Sequence, residues 1–163
     1  MFDKKTLSNH ERGLTIIEIL IVIAIVTTAF VGMLQLTSYG ARSEGSAKDT
    51  VAAYLLARQT LEAARFVRDD SWATFSSLSI GATYYPVQSG GKWTLSASNP
   101  GAIDGFTPSL VLNQVYRDAN HNIVSSGGSL DAGTLNVVAS VEWTARGGAA
   151  RTVTLETYLA NIQ

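Results

Sequence analysis

Cysteine is absent from the 163-residue chain, which excludes a disulfide framework, thiolate metal sites and a cysteine nucleophile. Histidine is nearly absent: the two present, His10 and His121, are too far apart in sequence to suggest a metal motif or a catalytic dyad. Neither sign of charge dominates. Twelve Lys and Arg stand against 13 Asp and Glu, a net charge of -1, so there is no basic field for nucleic acid and no acidic tail. Charged residues are scarce at 15%, against about 25% in an ordinary soluble domain, while 46% are hydrophobic. Such an average hides an apolar block. The length leaves room for one domain plus an appendage.

The block lies near the start. Residues 1–13, MFDKKTLSNHERG, are polar and carry Lys4, Lys5 and Arg12. From Ile16 to Leu34 nearly every residue is apolar, with Thr27, Thr28 and Gly32 as mild interruptions. At 1.5 Å per helical residue this run is about 28 Å long, close to the hydrocarbon thickness of a bilayer. It is longer than the core of a secretory signal peptide, and no small-residue cleavage site follows it. A plain transmembrane anchor with a basic cytoplasmic flank fits the length. That reading leaves Glu18 unexplained, since an acid deep in a span costs about 2.5–3.5 kcal/mol on insertion scales. Its place near one end permits some relief by snorkelling. A buried core helix is a third reading, but the remaining chain is too small to surround it.

Gly13-Leu14-Thr15-Ile16-Ile17-Glu18, after a short basic leader and ahead of an apolar helix, resembles the class III signal of type IV prepilins and pseudopilins. The resemblance covers about thirty residues. It implies that a prepilin peptidase cuts between Gly13 and Leu14 on the cytoplasmic side, that Leu14 becomes the N-methylated first residue, and that Glu18, at the fifth mature position, guides assembly and subunit register. Family members usually begin the mature chain with Phe or Met, and Leu14 departs from that. The implied partners are the peptidase, other pilin or pseudopilin subunits met through the N-terminal helix, an inner-membrane assembly platform, and membrane lipid before assembly. The implied location is the cytoplasmic (inner) membrane as a single-pass precursor with its N-terminus inside, then an extracytoplasmic pilus or pseudopilus. The residues themselves leave open a single-span anchored extracytoplasmic binding module that never polymerises.

The resemblance has a physical logic. A cut before Leu14 frees an α-amino group with an ordinary pKa of about 7.7–8.0, and methylation leaves it titratable. In a bundle of such helices, that amine on one subunit can neutralise Glu18 of a neighbour, and the pairing fixes the axial stagger between them. Loss of residues 1–13, which sum to +1 (Lys4, Lys5 and Arg12 against Asp3 and Glu11), takes the mature chain to -2. The same three cations hold the leader in the cytoplasm.

The apolar segment, residues 14–40, runs into an amphipathic one, residues 41–70. No proline interrupts either, and Ala, Leu, Arg and Glu dominate the second. On a helical wheel Arg58, Glu62 and Arg65 share one stripe. Leu56, Ala63 and Val67 line one flank of the apolar arc; Tyr54, Ala57, Leu61 and Ala64 line the other. The pattern predicts a polar face toward solvent or a filament neighbour, and an apolar arc against a sheet. Gly32 and Gly40 are soft points. Asp69-Asp70 oppose the helix dipole and predict a stop.

Residues 71–163 change to Gly, Ser, Thr, Tyr and Val. Residues 135–144 and 151–160 alternate with period two around Ala145-Arg146-Gly147-Gly148, a hairpin signal. Residues 110–117 are a partner strand, with Pro108 at its start. Residues 84–87 and 92–97 form a weaker hairpin around Ser89-Gly90-Gly91. The expectation is an α+β fold: a long N-terminal helix packed on an antiparallel sheet of four or five strands, a pilin-like roll.

Chemistry-bearing clusters are few. Asp118, Asn120 and Asn122 have the 1-3-5 spacing that opens a calcium loop, but Ile123 stands where the loop needs glycine and Ser129 where it needs glutamate. The same residues suit a strand-connecting turn, which is the reading taken, with calcium as runner-up. Trp72, Tyr84, Tyr85, Trp93 and Trp143 suggest core packing ahead of a glycan-binding face. No Ser/His/acid grouping exists, and the arginines are scattered rather than massed. Neither catalysis, nor a cofactor, nor nucleic-acid binding is expected.

Overall fold

The computed structural model describes residues 15–162, apart from the side chains of residues 41 and 42. Its order is one long helix, one short helix and six strands: α1 (Ile16–Asp70), α2 (Trp72–Ser76), β1 (Thr83–Ser89), β2 (Lys92–Ser96), β3 (Phe106–Arg117), β4 (Ile123–Val124), β5 (Ser129–Thr144) and β6 (Ala150–Ala160). The class is α+β, a long N-terminal helix packed on an antiparallel sheet. The chain divides between Ser43 and Glu44 into two units, and α1 contributes to both.

In the first unit α1 is regular through Gly32 and Gly40. Thr27 and Thr28 return their hydroxyls to the carbonyls of Ile23 and Ala24 at 2.8 Å, so neither offers an unpaired polar group to apolar surroundings. Its apolar side chains are exposed all round, from Ile16 at 80% to Leu36 at 73%. An 18-residue window of this helix has a mean hydropathy of 2.6 with none of it buried, so the helix is long and apolar enough to cross a membrane.

In the second unit α1 lies against the sheet on small residues. Ala53, Ala57, Ala63 and Ala64 are fully buried, and Leu61 nearly so. Ala53 and Ala57 meet Val141 and Trp143; Leu61 and Ala64 meet Leu110, Leu112, Val137, Ala139 and Leu159. Thr60 is buried too, its hydroxyl donating to the Leu56 carbonyl at 2.9 Å. The expected flank Ala57, Leu61 and Ala64 is thus in the core, but Tyr54 is 45% exposed. The helix turns Ala53 inward instead, and 100° of rotation per residue carries Tyr54 to the rim. Leu56 and Val67 are half-buried beside the core, and Arg65 pairs with Glu62 on the outer stripe.

The acidic stop holds. α1 ends at Asp70, and Ser71 caps α2, its hydroxyl accepting from the Thr74 amide at 3.2 Å. Phe75 of α2 is fully buried, and its ring centroid is 6.0 Å from that of Trp72.

The sheet runs β2-β1-β3-β5-β6, every pairing antiparallel, with β4 added to β3. Both expected hairpins form. Gly90 and Gly91 take φ of 59° and 78°, the pair of positive values a tight two-residue turn demands. Two expectations are corrected. The sheet has six strands because the two-residue β4 folds back on β3, and β5 is longer than expected, starting at Ser129. Pro108 is the third residue of β3, opposite Val141, and not its start. It is tolerated there because β1 pairs only with Leu110 and Val111, so that at Pro108 β3 has a neighbouring strand on the β5 side alone.

Gly128 precedes β5 at a tight crossing. A Cβ there would lie 2.6 Å from the Arg117 carbonyl oxygen and 2.7 Å from Cγ2 of Val124. Backbone cannot yield cheaply, so Gly128→Ala is expected to cost about 1–3 kcal/mol. Thermal denaturation of the full chain in detergent measures this, and an unchanged midpoint would show that the crossing relaxes freely.

Candidate functional site

Glu18 sits in the first turn of α1, where an acid is favoured by the helix dipole. The amides of Glu18 and Ile19 both donate to the Thr15 carbonyl, at 3.0 and 3.2 Å, closing the first turn. Glu18 is exposed among exposed Ile16, Ile17, Ile19 and Leu20, and no described side chain pairs with it. A carboxylate ringed by aliphatic side chains is a mismatch in lipid and a directional handle once a cation is supplied. Gly13 and Leu14, the expected cut site and methylation site, lie outside the described residues.

The other sequence candidate is the turn between β3 and β4. Asp118 organises it: its Oδ1 accepts from the backbone amides of Asn120 and Asn122 at 2.9 and 2.8 Å, and its Oδ2 accepts from Asn122 Nδ2 at 3.2 Å. His121 takes a left-handed φ of 65° to close the turn. Both Asp118 oxygens therefore serve N–H donors, and the 1-3-5 spacing builds an Asx-type turn. Among the described residues no group of three His, Asp or Glu side chains could hold a metal ion. Arg117 ties the turn to β5: its Nε donates to Asp131 Oδ2 at 2.6 Å and its guanidinium also donates to the His121 carbonyl at 2.8 Å.

These contacts hold two carboxyls below the usual carboxylate range, Asp131 chiefly through the Arg117 hydrogen bond and Asp118 chiefly through the Asn122 side chain. A folded-state pKa below the unfolded one adds stability at neutral pH, and that stability drains away as pH falls below about 4. The thermal midpoint of Asp131→Asn is therefore expected to lie below wild type at pH 7, with the gap closing toward pH 3. A gap that stays constant across that range would contradict the coupling.

The aromatic set does not form one face. Trp143 and Tyr84 are buried in the core, and the Tyr84 hydroxyl accepts from the Ser79 amide at 2.8 Å. Trp72 packs beside the core, and Tyr85 and Trp93 are half-buried on opposite faces of the β1–β2 hairpin. Two tyrosines the sequence did not single out, Tyr116 and Tyr158, are the ones left exposed on the sheet. Comparison with protein-family models, with curated proteins and with solved structures finds no match to this chain.

Proposed function

We propose that this chain is a structural subunit of a type IV pilus or of a related secretion or competence filament, a minor pilin or pseudopilin rather than an enzyme. The observation that carries the reading is the placement of Glu18. It is the single acid in an exposed apolar helical run, five residues beyond a glycine that ends a basic leader. A plain anchor has no use for that acid, whereas a cut after Gly13 supplies a cationic mate for it on the next protomer. The two-part helix supports the reading, because its first part is fit for lipid or a filament core and its second part docks on a sheet.

In this account a prepilin peptidase removes residues 1–13, Leu14 is N-methylated, and the mature helix moves from the inner membrane into a bundle of pilin helices through the assembly platform. Co-expression with a prepilin peptidase tests it. The wild-type chain is expected to shorten by its 13-residue leader on a gel. Gly13→Val is expected to stay full length, because a branched side chain replaces the one residue without a Cβ at the scissile bond. Identical mobility of the two with and without peptidase would favour the anchored module.

A further inference from the structure

The sheet face turned away from α1 carries a polar ladder across three strands. On β5, Asn136 alternates with the core residues Leu135 and Val137, so it points to the opposite side. It is nonetheless only 6% exposed. Its register partners are Asn113 on β3 and Tyr158 on β6. Asn113 Nδ2 donates to Asn136 Oδ1 at 3.2 Å, and Asn136 Nδ2 donates to Glu156 Oε1 at 2.6 Å. The Tyr158 hydroxyl donates to the same Glu156 oxygen at 3.3 Å, and the Tyr116 hydroxyl donates to Gln114 Oε1 at 2.9 Å.

Gln114, Tyr116, Asn136, Glu156 and Tyr158 line a groove of about 320 Å³ whose remaining wall includes Val115, Ile123 and Val124. The volume is at the small end of ligand sites. Tyr116 and Tyr158 are 38% and 47% exposed, so each keeps much ring surface open while its hydroxyl is tethered. Tethering fixes the rings in advance and lowers the entropy a ligand must overcome. Glu156 Oε2 and Gln114 Nε2 remain as an acceptor and a donor. No Lys, Arg or His is among the groove's lining residues, so nothing there would hold a phosphate, sulfate or carboxylate.

We propose that this groove binds one pyranose unit of an uncharged glycan. A sugar ring offers C–H faces to tyrosine and hydroxyls to a carboxylate and an amide, and the groove presents that set in pre-ordered form. The buried Asn136 acts as a positioning residue that holds Glu156 in place. The inference stands apart from the assembly reading, since it concerns the sheet alone and fits a filament subunit and an anchored module equally.

Saturation-transfer NMR on the full chain in lipid nanodiscs free of glycolipid tests it, with methyl glycosides of glucose, galactose, mannose and N-acetylglucosamine as probes and tetramethylammonium as the competing cation. At least one glycoside is expected to show transfer to its ring C–H protons at about 10 mM, a weak single-unit affinity. Tyr158→Ala and Glu156→Gln should each weaken it about tenfold or more. Tyr158→Phe, which keeps the ring, should retain it within a few-fold, and Tyr85→Ala, outside the groove, should leave it unchanged. Should no glycoside respond, should Tyr158→Phe bind no better than Tyr158→Ala, or should only tetramethylammonium respond, the proposal is overturned.

Discussion

Glu18→Ala is expected to leave the precursor inserted and processed but to cut its recovery in sheared filaments at least tenfold. Removing the acid lowers the cost of placing this helix in lipid, by at most about 2.5–3.5 kcal/mol, the value for the centre of a span. The variant should therefore accumulate in the membrane, which separates an assembly defect from an insertion defect. On the proposed assembly reading, what it loses is the partner for a neighbour's N-terminal amine. An uncompensated charge in low-dielectric surroundings typically costs about 3–5 kcal/mol once its mate is removed, enough for the tenfold loss expected. The apolar side chains around Glu18 offer no replacement, since all of Ile16, Ile17, Ile19 and Leu20 are aliphatic. Quantitative immunoblotting of filament and membrane fractions measures the ratio, and a wild-type ratio would remove the register role.

The largest stability effect is expected at Phe75. This ring comes from a helix of five residues, yet it is fully buried in one cluster with Tyr84, Leu110, Leu112 and Leu61. It joins α2 and the sheet to the second half of α1. Phe75→Ala should cost about 3–5 kcal/mol, the transfer of the ring plus the cavity left by neighbours fixed in a sheet. At about 4–8 °C per kcal/mol for a small domain, the thermal midpoint should fall by more than 10 °C. Circular dichroism of the full chain in detergent reads it, and a fall under about 3 °C would mean that the pocket collapses on the deleted ring or that α2 is not part of the cooperative unit.

Local patterns in the sequence carried much of this architecture. The β5–β6 hairpin is legible because Val137, Ala139, Val141 and Trp143 alternate with residues of the opposite face over ten positions, and the glycines of the first hairpin mark its turn. The end of α1 is legible from Asp69-Asp70. Elements too short to repeat a pattern were not: α2 and β4 have five and two residues, α2 being held by the burial of Phe75 and β4 by its pairing with the end of β3. Tyr54 was misplaced because a wheel gives relative angles and not which of two neighbouring arcs the sheet selects. Pro108 was misplaced because its tolerance depends on where β1 stops pairing. The sites divide the same way. Glu18 stands out because its spacing from Gly13 is local. The groove of Tyr116, Asn136, Glu156 and Tyr158 exists only through the register of three strands, so no linear motif announces it. The spacing of Asp118, Asn120 and Asn122 was ambiguous, and only the donors that occupy Asp118 identify the turn.

The central claim is that processing creates the cation for which Glu18 waits. The intact mass and N-terminal fragment ions of the chain isolated from its native membrane test it most directly. The account predicts a chain beginning at Leu14, carrying one added methyl group on its amine. A native product that still begins at Met1, with no shortened form, would contradict it.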